Sequence, residues 1–193
     1  MLHRSLKSFS IKTLLFATML CALGLWGYRE LHSRQNALDQ LRVAGAGVYW
    51  FGQLPGRSDP PFRKENAPPR WAIDLLGEAC FFDVSLLYFG RLEADAEDLF
   101  RLLSEFPEVT VIEFNFTKCT DDHVRLISKL PNLRVLWLDA TLVTDASLKY
   151  LVHSPKLQSV SINETAISDQ AIEEFKARRP DVGVVSGGPA FDG

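Results

Sequence analysis

The chain has few of the residues that mark disulfide scaffolds, metal sites or common catalytic folds. Its three cysteines, Cys21, Cys80 and Cys119, include no CxxC pair, which excludes a closed disulfide framework and gives no zinc motif. A Cys80–Cys119 pair is left to the fold to decide; buried free thiols are the preferred reading. The four histidines (His3, His32, His123, His153) have no ligand spacing. GxSxG, HExxH, a phosphate loop and a glycine-rich dinucleotide turn are all absent, so no familiar catalytic motif is available. Charge of one sign is lacking too: a net charge of −3 gives no general drive towards nucleic acid or acidic lipid. The remaining composition, 47% hydrophobic and 23% charged over 193 residues, fits one globular domain with appendages.

The longest uncharged run is TLLFATMLCALGLWGY, residues 13–28, preceded by Arg4, Lys7 and Lys12. As a helix these sixteen residues reach about 24 Å, short of a hydrocarbon core of about 30 Å. Extension back to Phe9 closes the gap, with Lys12 snorkelling towards headgroups and Trp26 and Tyr28 at the interface. Residues 9–28 are therefore expected to contact a membrane as a single-pass N-terminal anchor. A cleaved signal peptide is the alternative, with Ala22-Leu23-Gly24 as its small-x-small site. Basic residues flank the run on both sides. A short tail before an N-terminal anchor favours N-in, with the rest of the chain outside the cytoplasm.

Residues 29–47 are expected to form a juxtamembrane helix, with Leu31, Ala37, Leu38 and Leu41 at helical intervals and an end near Ala44-Gly45-Ala46-Gly47. Val48-Tyr49-Trp50-Phe51 has β-branched and aromatic strand character. Residues 48–70 thus combine a short strand with a linker carrying five prolines. Trp71 opens a short predicted helix that turns at Gly77, and Phe81 and Phe82 supply apolar mass to seal the start of the periodic region.

Periodicity dominates the rest. Val109, Leu133 and Leu157 stand 24 residues apart, and each opens an LxxLxL pattern: Val109/Ile112/Phe114, Leu133/Leu136/Leu138 and Leu157/Val160/Ile162. Val84/Leu87/Phe89 fits one residue out of step, and Val182 opens a partial copy. Thr117, Thr141 and Thr165 come after the three full patterns; then come Thr120-Asp121, Thr144-Asp145 and Ser168-Asp169. A second apolar set (Val124/Ile127, Leu148/Leu151, Ile172/Phe175) and a proline (Pro107, Pro131, Pro155, Pro180) complete the phase. LxxLxL alternates as a strand with one buried face. The first threonine is expected to bond backbone groups of the neighbouring unit, forming a ladder. The hydroxyl of each hydroxyl–acid pair suits a helix N-cap, and the aspartate suits the positive end of the helix. Proline then stops the helix.

VLWLDATLVTDASLKYLVHSP and SVSINETAISDQAIEEF resemble leucine-rich-repeat units of the form LxxLxLxxTxITDxxLxxL. With its anchor, AGAGVYWF and WAIDLLGEACFFDV, the chain is similar to short membrane-anchored bacterial leucine-rich-repeat proteins. The resemblance implies an α/β fold: a short leucine-rich-repeat solenoid with parallel strands on the concave side and helices on the convex side, preceded by an N-terminal transmembrane helix. The implied organisation is an anchor over 1–28, a juxtamembrane helix over 29–47, strand and linker over 48–70, a repeat domain with its cap over 71–186, and a tail over 187–193.

In such a stack the non-core strand positions form three columns: Leu86/Val111/Val135/Ser159, Tyr88/Glu113/Trp137/Ser161 and Asn115/Asp139/Asn163, with Gly90 at the end of the last. The candidate partner-binding residues are Tyr88, Glu113, Asn115, Val135, Trp137, Asp139 and Asn163. Exposed aromatics dominate interaction hot spots, so Trp137 and Tyr88 lead; their alternative role is packing against the N-terminal segment or linker. Two sequons, at Asn115 and Asn163, are by-products of the recurring threonine. The expected function is non-catalytic protein–protein interaction, with protein partners and no nucleic acid, cofactor or metal. The alternatives are a structural envelope component without a discrete ligand and a hydrolase using Glu113 and Asp139.

Overall fold

The computed structural model of the chain describes residues 11–50, 69–77, 83–92 and 94–187. The first ten residues, the proline-rich linker over 51–68, Cys80, Phe81, Phe82 and the tail beyond 187 lie outside the described residues.

Helix α1 (Ile11–Val43) runs 33 residues, about 50 Å, and passes Tyr28 and Arg29 without a break. Among the described residues, no helix is long and apolar enough to cross a membrane, so the expected transmembrane helix finds no support there. Leu38 and Leu41 near the C-terminus of α1 are fully buried, with Ala37 beside them. The apolar spacing thus marks a docked helix face. Arg34 ties that face down through an ion pair with Glu108 and lies 5.3 Å from the centre of the Phe106 ring. The helix ends where the glycines predict. Gly45 has φ +96, and a Cβ there would meet the Arg91 carbonyl oxygen at 2.1 Å, so no other residue fits this turn.

Strand β1 (Ala46–Trp50) starts two residues before the apolar VYWF run. The reason is tertiary: Ala46 and Gly47 pair with Phe89 and Tyr88 of β2 (Val84–Phe89), antiparallel. Between them in sequence lies α2 (Arg70–Leu76), which ends at Gly77 as expected. The chain then alternates α3 (Ala96–Leu103), β3 (Val111–Glu113), α4 (Asp121–Ile127), β4 (Val135–Trp137), α5 (Asp145–Leu151), β5 (Ser159–Ser161), α6 (Asp169–Arg178) and β6 (Gly183–Val185). The six strands lie in sequence order in one sheet, and β2 to β6 pair in parallel. The result is an α/β fold with a mostly parallel sheet.

The LxxLxL positions occupy the core. Val84, Leu87, Phe89, Ile112, Phe114, Leu133, Leu136, Leu138 and Val160 are all 0% exposed. Phe89 and Phe114 stack at 4.8 Å between ring centres, so the aromatic members fall next to each other at one end of the sheet. Leu99, Leu103, Val124, Ile127, Leu148, Leu151, Ile172 and Phe175 complete the same cluster from the helices. Asp95, Thr120, Thr144 and Ser168 occupy the N-cap positions, as the hydroxyl–acid pairs predict for the last three.

The bonds joining successive units differ from expectation. Thr117 Oγ1 donates to the Phe114 carbonyl (2.6 Å), Thr141 to Leu138 (2.6 Å) and Thr165 to Ile162 (2.9 Å). Each threonine closes its own turn, and among the described residues its hydroxyl makes no bond to the next unit. The turn requires this, because the residue before each threonine (Phe116, Ala140, Glu164) has φ of 59, 52 and 55. That left-handed kink points the hydroxyl back at the strand it has just left. The aspartates supply the link instead. Asp121 accepts from Thr144 N (2.9 Å) and Thr144 Oγ1 (2.7 Å), and also from the Ser147 hydroxyl. Asp145 accepts from Ser168 N (2.7 Å) and Ser168 Oγ (2.9 Å). The carboxylate at the start of one helix thus holds the cap of the next.

Candidate functional site

Among the described residues, the helices pack on one face of the sheet, and no helix covers the other. The open-face columns align as the periodicity predicts: Leu86, Val111, Val135, Ser159 and Gly183 form one row, and Tyr88, Glu113, Trp137, Ser161 and Val185 the next. Strand neighbours in such rows stand about 4.8 Å apart. Tyr88 is exposed, Val135, Glu113 and Trp137 are half-buried, and Ser161 is buried.

Antiparallel β1 extends both rows. Tyr49 pairs with Leu86, and Gly47 with Tyr88. Tyr49 is a site residue that sequence reasoning missed. Its only signal was alternation within AGVYW, and which face it joins depends on the pairing with β2. Gly47 and Gly90 leave room for the Tyr88 ring. A Cβ at Gly47 would lie 3.4 Å from Tyr88 Cδ1, and one at Gly90 3.2 Å from the Tyr88 hydroxyl. The ring therefore leans along its own strand.

Asn115, Asp139 and Asn163 form the third row and bond to one another. Asn115 Oδ1 accepts from Asp139 N (2.9 Å), and Asp139 Oδ1 accepts from Asn163 N (2.8 Å). Asp139 Oδ1 also accepts from Ser161 Oγ (2.7 Å) and Asn163 Nδ2 (3.1 Å). These side chains satisfy backbone N–H groups where the strands end, a demand on every buried or half-buried amide. Asn115 Nδ2 donates to Glu113 Oε1 at 3.1 Å and so orients the carboxylate in the middle row. Both sequon asparagines spend their amide nitrogens on bonds within these rows.

Glu113 has no ion-pair partner among the described residues. Burial pushes its carboxyl above the usual range, the Asn115 bond opposes that, and the Asp139 charge raises it further. The row is acidic at its centre and aromatic on either side. His123, which has no ligand spacing in sequence, has a structural task. Its Nδ1 accepts from Thr120 N (3.2 Å), and its Nε2 lies 3.2 Å from the Ala94 carbonyl. One tautomer, protonated on Nε2, satisfies both contacts. Cys119 is buried, and burial pushes its thiol far up, away from nucleophilic use. Among the described residues, no group of three or more histidine, cysteine or acidic side chains is placed to hold a metal.

Compared with known proteins, the chain matches no family model and no curated protein.

Proposed function

We propose that this protein is a membrane-attached leucine-rich-repeat module whose concave strand face binds a protein partner without catalysing a reaction. The observation that carries the reading is the row Tyr88–Glu113–Trp137, which places two accessible aromatics on an open sheet face. Aromatics in such positions are the residue types on which interfaces concentrate their binding energy. The strand register of 24 residues supports the repeat assignment, because each turn of a solenoid returns equivalent residues to adjacent strands. The uncharged run over 13–28 is what supports membrane attachment. The C-terminal part of α1 is docked on the domain, so the binding face would be held by a helix continuous with that run. With few strands the face is small, and clustering at a membrane would raise its effective affinity.

Site-specific photocrosslinking in intact cells tests this. A crosslinker at Trp137 should capture a discrete partner that the same group at Lys149, exposed on helix α5, does not. Equal capture from both positions, or none from Trp137, refutes the binding face. Carbonate extraction tests the attachment: release of the full-length chain into the soluble fraction refutes it.

A further inference from the structure

The middle row specifies the chemistry of its ligand more closely than partner binding alone. Tyr88 and Trp137 are the register neighbours of Glu113 on either side, so their backbones stand about 9.6 Å apart. Cation–π attraction acts within about 6 Å of a ring centre, so Trp137, one strand spacing of about 4.8 Å from Glu113, is the aromatic neighbour of a cation held at that carboxylate. The carboxylate lies midway and is oriented by Asn115 through Oε1 (3.1 Å). Its other oxygen has no protein partner among the described residues. Asp139 sits diagonally across, two residues beyond the end of β4, and its carboxylate adds charge of the same sign. Tyr88 leans over Gly90, so its ring does not cap Glu113. The face therefore presents a half-buried carboxylate, without an ion-pair partner among the described residues, next to Trp137 in the row, with the Tyr88 ring turned towards Gly47 and Gly90.

We propose that the Tyr88–Glu113–Trp137 row binds an arginine side chain presented by an extended segment of the partner protein. This rests on the binding-face reading above and names the partner's chemistry. Guanidinium suits the site better than ammonium because it stacks on rings and donates two parallel hydrogen bonds to one carboxylate. A cation also compensates the two carboxylates at once. The neighbouring Val111 and Val135, half-buried in the adjacent row, would take the apolar stem or the next side chain of that segment.

The test uses the isotopically labelled full-length chain in detergent micelles, with the Trp137 indole signal assigned through Trp137→Phe. Nα-acetyl-arginine amide is titrated against its neutral citrulline counterpart. The indole should shift saturably with the arginine compound and stay unmoved with citrulline. Glu113→Gln should weaken the arginine compound roughly tenfold or more, as loss of a charge-assisted pair does. Added salt should weaken it as well. Equal shifts with both compounds, or an unchanged titration in Glu113→Gln that still unfolds like the parent, overturns the proposal. Photocrosslinking separates the two levels. Capture from Trp137 that survives Glu113→Gln leaves the binding face standing and removes the arginine. An arginine-specific titration without any captured partner does the reverse.

Discussion

Replacing Asp121 with alanine removes the carboxylate that joins α4 to α5, and the structure says which of its bonds matters. Three donors converge on it: Thr144 N, Thr144 Oγ1 and the Ser147 hydroxyl. Thr144 is exposed, so water replaces the carboxylate there at little cost. Ser147 is 0% exposed, and its hydroxyl makes no other hydrogen bond among the described residues. A buried hydroxyl stripped of its partner costs about 1–3 kcal/mol, whereas removing both partners is close to neutral. Asp121→Ala should therefore lower stability by about 1–3 kcal/mol, equivalent to about 2–4 °C per kcal/mol for a chain of this size. Adding Ser147→Ala should recover most of that loss. Urea unfolding of the four proteins of the double-mutant cycle, full-length in detergent, measures the coupling directly. If the two losses simply add, or if Asp121→Ala unfolds like the parent, the aspartate does not bind the next unit as described. Asp169 is the internal control. It stands at the same phase with no helix after it among the described residues, so Asp169→Ala should cost only the helix-end charge interaction, about 0.3–1 kcal/mol.

Acid should act through the same ladder. Hydrogen bonds from Ser147 and Thr144 hold Asp121 below its ordinary value of 3.8 despite burial, which pulls the other way. Ser168 does the same for Asp145. A lowered folded value means the stabilisation is complete above the unfolded value and lost as pH falls through the folded one. Stability should thus decline below about pH 4, and less steeply in Asp121→Asn/Asp145→Asn; identical acid profiles in urea titrations contradict this. Glu113 has the opposite sign: its raised value makes the charged form a burden above it, so Glu113→Gln should not lower the neutral-pH melting temperature. Ser154 Oγ is buried without a partner among the described residues, and Ser154→Ala should gain about 1 kcal/mol in urea unfolding; a loss would reveal a hidden bond. Ala140, at φ 52, should gain up to about 1 kcal/mol on replacement by glycine, and a destabilised variant would show that the methyl group packs. Cys119 should resist alkylation until urea unfolds the chain, as peptide mapping can read; rapid labelling in the native state would place it at the surface.

The strand–helix order, the core and the helix caps were legible in the sequence because each is a local demand repeated at one spacing. Leu136 must be buried whatever its neighbours are, since an apolar strand position has one core-facing side. Thr144 and Ser168 can cap because they immediately precede helical residues. The register of Val111 with Val135 came from the same spacing, and with it the row containing Glu113 and Trp137. What tertiary structure decided were relations between groups far apart in the chain. Gly47 and Tyr49 reach the open face only because β1 turns back antiparallel on β2. Nothing in the composition of AGVYW announces that direction. His123 becomes part of a cap because the Ala94 carbonyl meets its far nitrogen. The same limit explains the threonines and aspartates. Both recur once per unit and both are able to link units. The left-handed kink at Phe116, Ala140 and Glu164, unmarked by glycine, turns the threonine hydroxyl inward and leaves the bridge to the carboxylate. Sequence spacing thus set which residues return to the same place. Backbone direction in three dimensions set which of them touch.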